Sequence, residues 1–200
     1  MKNYYKLNLP RNPLKITNLS CYDIENFWTI ETNPSEILTD ELNQIFSDIG
    51  ISPSFAVFFV IHSNKRKDKH EHAHVDYTLS QEKWKPIPFG INWELNDEIT
   101  SKLSWYDATD CKEIEISLDG DPEIDRTFKY LNGVFFEGIP KVIDSVECAG
   151  EPILVRTDVP HTLSDFQTTA CKRFALSLRF DVEKISSWKE AETSFRSIFI

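Results

Sequence analysis

Apolar positions along this chain recur with two different periods, and the change of period marks the elements. Between Asn33 and Gly50 the apolar residues Ile37, Leu38, Leu42, Ile45, Phe46 and Ile49 fall three or four apart, the spacing of one helix face. Asn33 can cap that helix, Pro34 suits its first position, Glu36 completes a capping box, and Gly50 can end it. A second helix is predicted from Ser187, with Glu190 three residues on, in "SWKEAETSF". Between the two the pattern is that of strands. "SFAVFFVIH" (54–62) is an unbroken apolar run, "NKRKDK" (64–69) a charged loop, and "HEHAHVDYTL" (70–79) alternates strictly. Further short strands follow in "FGINWEL" (89–95), "KLSWYDA" (102–108), "EIEIS" (113–117), "KVIDSVE" (141–147), "PILVRTDV" (152–159) and "RFALSLRF" (173–180). Many short strands and few helices predict one domain over residues 1–200, mainly β with flanking helices, on a jelly-roll or barrel core.

Composition narrows the partners. The chain has 200 residues, 40% hydrophobic and 27% charged, ordinary for a globular protein with a single core. With 22 Lys+Arg against 32 Asp+Glu the net charge is −10, which argues against long nucleic acid, since phosphate-backbone binding needs a basic footprint. No run reaches the roughly 18 apolar residues of a membrane span, and the first ten residues carry no signal-peptide core. Four scattered cysteines, Cys21, Cys111, Cys148 and Cys171, form no CxxC pair and read as free thiols. The expected setting is cytoplasmic.

The alternating stretch carries the candidate chemistry. Side chains of a strand alternate between faces, so His70, His72, His74 and Asp76 share one face, while Ala73, Val75 and Tyr77 share the other. Two histidines and a carboxylate on one side of a metal leave positions open for substrate and oxygen, an arrangement that suits non-haem Fe(II). A further histidine is available in His161, which shares a parity with Val155, Thr157 and Val159 and can point inward at a strand end. The nominated metal ligands are His74, Asp76 and His161. In an extended strand His70 lies roughly 13 Å from His74, too far for the same ion, and His72 roughly 6.6 Å away. His70 and His72 are therefore read as a rim or as substrate-facing. Downstream, Phe174, Leu176, Leu178 and Phe180 make an apolar face, and Arg173, Ala175, Ser177 and Arg179 the opposite one. An arginine inside a barrel needs an anion. No buried acid is evident for it in the sequence, and a bound dicarboxylate would serve through two parallel hydrogen bonds. Arg179 reads as a surface or structural ion-pair residue. Asn92 has a parity away from the apolar face and is a candidate cosubstrate contact.

These segments, "HVD", then "VPH", then an arginine opening the last core strand, resemble the Fe(II)/2-oxoglutarate-dependent dioxygenases. "EPILVRTDVPHTL" with "KRFALSLRF" looks most like small phage-type and bacterial members related to aspartyl/asparaginyl hydroxylases, and "FGINWEL" with "LSWYDA" is similar to their paired middle strands. The resemblance runs from about His70 to Phe180. It implies a double-stranded β-helix (jelly-roll or cupin-like) core, with iron held by His74, Asp76 and His161. It also implies that Arg173 binds 2-oxoglutarate by its far carboxylate. The implied activity is hydroxylation of a small molecule, an amino acid or a protein side chain, with release of succinate and CO2. Where many relatives carry Arg-x-Ser, this chain has Arg173-Phe174-Ala175, and its next serine is Ser177.

Two other readings stand beside this one. A cupin-type metal protein, an isomerase or a ligand-binding module, would use His72, His74 and His161 on the same architecture. It lacks the glutamate expected four residues after the paired histidines, where Thr78 stands. A non-catalytic interaction protein that keeps the fold is the third.

Overall fold

The computed structural model describes residues 2–16, 28–31, 33–62, 73–80, 83–95, 100–116, 132–137, 140–148, 150–167 and 172–200. In chain order the elements begin with β1 (Tyr4–Lys6), β2 (Trp28–Glu31), α1 (Pro34–Ile37), α2 (Asp40–Asp48), β3 (Pro53–His62) and β4 (His74–Ser80). There follow β5 (Lys83–Pro86), β6 (Phe89–Glu94), β7 (Thr100–Asp107), β8 (Lys112–Ile116) and β9 (Asn132–Glu137). The last are β10 (Lys141–Cys148), β11 (Ile153–Arg156), β12 (His161–Gln167), β13 (Lys172–Phe180) and α3 (Trp188–Ser194). The protein is thus mainly β, with few helices. Among the described residues no helix is long and apolar enough to cross a membrane.

The strands form two antiparallel sheets among the described residues. One has the order β1-β11-β6-β13-β3-β2, the other β10-β7-β12-β4-β9-β8, with β5 paired to β4. Alternation along β13 divides the first sheet into two faces. Leu176, Leu178 and Phe180 point outward and pack with Leu42 and Phe46 of α2 and Trp188 and Ala191 of α3 in the main core. The opposite face of the same strand, turned toward the second sheet, carries Arg173, Ala175, Ser177 and Arg179, all buried. Apolar burial between helices and sheet, at roughly 25 cal/mol per Å² removed from water, holds the first face in place. The second face is polar and depends on paired charges.

The helical segment differs from its expectation. One helix over residues 33–50 is replaced by α1 and α2, separated by an extended Leu38 (ψ 148°). Leu38 bridges to Leu14, Lys15 donates its N–H to the Ile37 carbonyl, and Thr39 donates its own to the Pro13 carbonyl. The neighbouring strand-like segment thereby takes the backbone groups that a continuous helix would use. Asn33 forms no side-chain cap. The cap is Thr39, whose hydroxyl accepts from the Leu42 N–H. Gly50 does follow the helix with φ +71°, a left-handed conformation that favours glycine. Ser187 caps α3 through the Glu190 N–H, as its sequence indicated.

A second correction concerns the approach to His161. The strand expected over 152–159 stops at Arg156, and His161 opens a separate strand, β12, in the other sheet. Residues 157–160 make the crossing. The Thr157 carbonyl accepts from the Asp76 N–H, the Thr157 hydroxyl donates to the Ile87 carbonyl, and the Pro160 carbonyl accepts from Tyr106. The parity drawn through Val155, Thr157 and Val159 therefore does not extend along one strand.

Candidate metal centre

Strand β4 pairs with both β12 and β9, so its residues are held on two sides. His74 faces His161 directly across the β4–β12 pair, and their rings lie 4.7 Å apart. Asp76, two residues on, projects from the same face of β4. Val75, on the other face, packs with Ala108 and Phe136 in a small separate cluster. The ligating atoms of His74, Asp76 and His161 all lie within 4.8 Å of one another. His74 Nε2 is 3.5 Å from Asp76 Oδ1, and His161 Nε2 is 3.9 Å from Asp76 Oδ2.

The protonation states suit ligation. His161 is buried, and its Nδ1 lies 2.9 Å from the Val159 carbonyl oxygen. Only an N–H satisfies that carbonyl, so the neutral ring keeps its proton on Nδ1 and turns the Nε2 lone pair toward Asp76. Burial, with His74 beside it, pushes the His161 pKa down to about 4, so the imidazole is neutral at pH 7. Burial works to raise the Asp76 carboxyl. The Arg179 guanidinium, which also hydrogen-bonds the carboxylate, leads the neighbouring groups that outweigh it and hold Asp76 below the usual carboxylate range.

Donors bound to one ion at about 2.0–2.2 Å lie roughly 3–3.5 Å apart. Two imidazoles and one carboxylate within 4.8 Å come within that reach by small side-chain rotations. The donor set fits a divalent metal, and this cluster can hold one. No family model, curated protein or solved structure matches this chain. The site is therefore read from its own chemistry.

Two residues that the sequence left aside stand at the centre of this interior. Arg179 is 4% exposed and donates from Nη2 to Asp76 Oδ2 at 2.7 Å. Of the two readings its sequence allowed, Arg179 is thus the structural ion-pair residue and not the surface one, and its partner is a candidate metal ligand. Its Nε and Nη1 are buried without a hydrogen-bond partner among the described residues. Gly90 on β6 makes room for it, since a Cβ there would stand 2.6 Å from Nη1. The second residue is Glu94. Arg173 was expected to lack a buried acid, but its Nε donates to Glu94 Oε2 at 2.8 Å, and its Nη2 lies 2.7 Å from the same oxygen. Ser101 Oγ, reaching from the second sheet, donates to the same oxygen at 2.9 Å. Asn92 lies between the two pairs and accepts from Ser177 Oγ at 2.6 Å.

The interior row therefore runs Arg179–Asp76, Ser177–Asn92, Arg173–Glu94. Arg173 and Arg179 are six residues apart on β13, roughly 20 Å along the strand. Alternation places Glu94 on the face of Asn92, two residues earlier, and that was the available signal. What the sequence lacks is the β6–β13 register, which sets Glu94 opposite Ala175 and Asn92 opposite Ser177. His70 and His72, the loop 64–69, Cys21 and Cys171 lie outside the described residues. Cys111 and Cys148 are free thiols.

Proposed function

We propose that the protein is an Fe(II)- and 2-oxoglutarate-dependent oxygenase built on a double-stranded β-helix core. Its substrate would be a small molecule, an amino acid or a protein side chain. The observation that carries the reading is the His74–Asp76–His161 cluster, two imidazoles and one carboxylate converging from adjacent strands. That donor set favours Fe(II) with open positions over a closed structural zinc site. The strand order adds support. β3, β13, β6 and β11 lie in one sheet and β4, β12, β7 and β10 in the other, so the successive pairs β3–β4, β6–β7, β10–β11 and β12–β13 each cross between sheets. Such alternation is what a jelly-roll winding would produce, and it supports that reading.

In this reading His74, Asp76 and His161 hold the metal. The Val159 carbonyl fixes the His161 tautomer, and Arg179 fixes the Asp76 carboxylate so that Oδ1 is turned to His74. Bound iron would let O2 act as the oxidant, one oxygen atom going to the substrate C–H bond and the other to 2-oxoglutarate, which would leave as succinate and CO2. The chain supplies position, and its buried interior limits water. Arg173 is the residue for the far carboxylate of 2-oxoglutarate, with Asn92 and Ser177 lining the way between.

One observation favours a second reading, a metal-binding protein of the same fold without 2-oxoglutarate chemistry: Arg173 is already engaged by Glu94. An assay for succinate separates the two. Protein loaded with Fe(II) and given 2-oxoglutarate in air should release succinate slowly even without substrate. His74→Ala and Asp76→Ala should abolish that release and the thermal stabilisation by Fe(II), Mn(II) or Co(II) that ligand linkage requires. Stoichiometric iron with no succinate would leave the second reading standing.

A further inference from the structure

We propose that Glu94 is an internal carboxylate lodged in the anion fork of Arg173, and that a dicarboxylate cosubstrate binds by displacing it. Glu94 would then set how tightly the cosubstrate is held. The inference rests on the oxygenase reading above and names the residue that governs cosubstrate affinity at that same site.

The geometry of the pair supports displacement over a permanent bridge. A guanidinium and a carboxylate bind best through two parallel bonds to two oxygens. Here Arg173 Nε and the Ser101 hydroxyl both donate to Oε2, and Arg173 Nη2 lies 2.7 Å from that same oxygen. Oε1 is buried and has no partner among the described residues. Burying an acceptor unpaired is unfavourable, and a ligand carboxylate that gave an oxygen to each N–H would satisfy Arg173 better. Glu94 is also held against its surroundings: burial raises its carboxyl above the usual range although Arg173 and Ser101 work to lower it. The groups facing it among the described residues are Arg173 on β13, Ser101 on β7 and Cys148 on β10. Burial pushes the Cys148 thiol up to about 11, so Cys148 adds no charge. Displaced from Arg173, Glu94 keeps Ser101 as a donor and loses its cation. Its carboxyl then takes up a proton.

Isothermal titration of the Mn(II)-loaded protein tests this without turnover, using 2-oxoglutarate and glutarate as probes. Glu94→Gln should tighten both by about tenfold or more, the order of one charge-assisted hydrogen bond. Arg173→Gln should weaken both by a similar factor. Circular dichroism and manganese stoichiometry establish that each variant is folded. The wild type supplies a measurement that needs no variant: its binding enthalpy should depend on the ionisation enthalpy of the buffer, with uptake of about one proton. Unchanged or weaker binding in Glu94→Gln, or binding by the wild type without proton uptake, would overturn the role of Glu94 while leaving the oxygenase reading intact. Absence of 2-oxoglutarate binding in every variant despite bound manganese would overturn both.

Discussion

The two oxygens of Asp76 have different partners, and that division depends on Arg179. Oδ2 accepts from Arg179, while Oδ1 is turned toward His74. Removing the guanidinium leaves a buried carboxylate beside two imidazoles, and breaking a buried pair from one side costs about 3–5 kcal/mol. Arg179→Met should therefore lower the stability of the metal-free protein by about that amount in urea denaturation, and a divalent ion should restore part of it. A loss below about 1 kcal/mol would show that the pair is solvated in practice, as surface pairs are. Gly90→Ala tests the same contact from the opposite side. Its methyl would meet Nη1 at 2.6 Å and Cζ at 3.2 Å, with the Leu178 carbonyl oxygen at 3.3 Å. The guanidinium must shift off Asp76, and a loss of about 1–3 kcal/mol is expected, the range for overpacking. Equal stability in Gly90→Ala would mean that Arg179 has a second position available.

Among the elements, local pattern made some features legible and long-range pairing hid others. The long apolar run of β3 and the apolar face of β13 stand out, and Ala56, Phe58, Leu176, Leu178 and Phe180 from them join the core formed with the helices. Ser187 was readable as a cap because Glu190 follows at the right distance. Strands β1, β2, β5 and β9 were not, being short or lacking a clear alternation, and they owe their state to the partners they pair with. The candidate ligands on β4 could be placed on one face from spacing, since Asp76 and His74 are two residues apart on one strand. His161 was visible as a candidate, but the wrong path led to it, because nothing in "RTDVPH" marks the change of sheet. Glu94 and Arg179 needed the register between β6 and β13 and the facing of the two sheets, which no local pattern encodes. The helix break has the same origin, a backbone bridge to Leu14. It yields a direct comparison of two caps. Thr39→Ala should cost about 1 kcal/mol, the usual loss for an N-cap hydroxyl, whereas Asn33→Ala should cost clearly less, because Thr39 caps and Asn33 does not. Chemical denaturation of both variants checks it, and a larger effect at Asn33 would restore the single helix.

At the scale of the whole molecule, the space between the sheets holds, among the described residues, two arginines and two carboxylates in matched pairs, Arg179 with Asp76 and Arg173 with Glu94. Charge is balanced within those two pairs, although the chain as a whole carries −10. The two pairs nevertheless differ in how they respond to acid. Asp76 sits below the usual carboxylate range and Glu94 above its ordinary value of 4.5. A carboxyl with a raised pKa binds its proton more tightly in the folded state than in the unfolded one. Between the unfolded and folded values the native protein therefore carries more protons, and stability falls as pH rises. The contribution of Glu94 is fully present below about pH 4.5, its ordinary value, and is lost as pH climbs through the raised one. Glu94→Gln lacks this titration, while Asp76 and His161 titrate in both proteins and largely cancel in the comparison. The Tm of metal-free wild type minus that of Glu94→Gln should thus be greatest near about pH 4 and should decline to a lower plateau toward about pH 8. Scanning calorimetry across that range reads the difference directly. A difference that grows with pH would mean that Arg173 holds Glu94 firmly as an ion, in which case the fork is closed by a stable bridge and no ligand carboxylate takes its place.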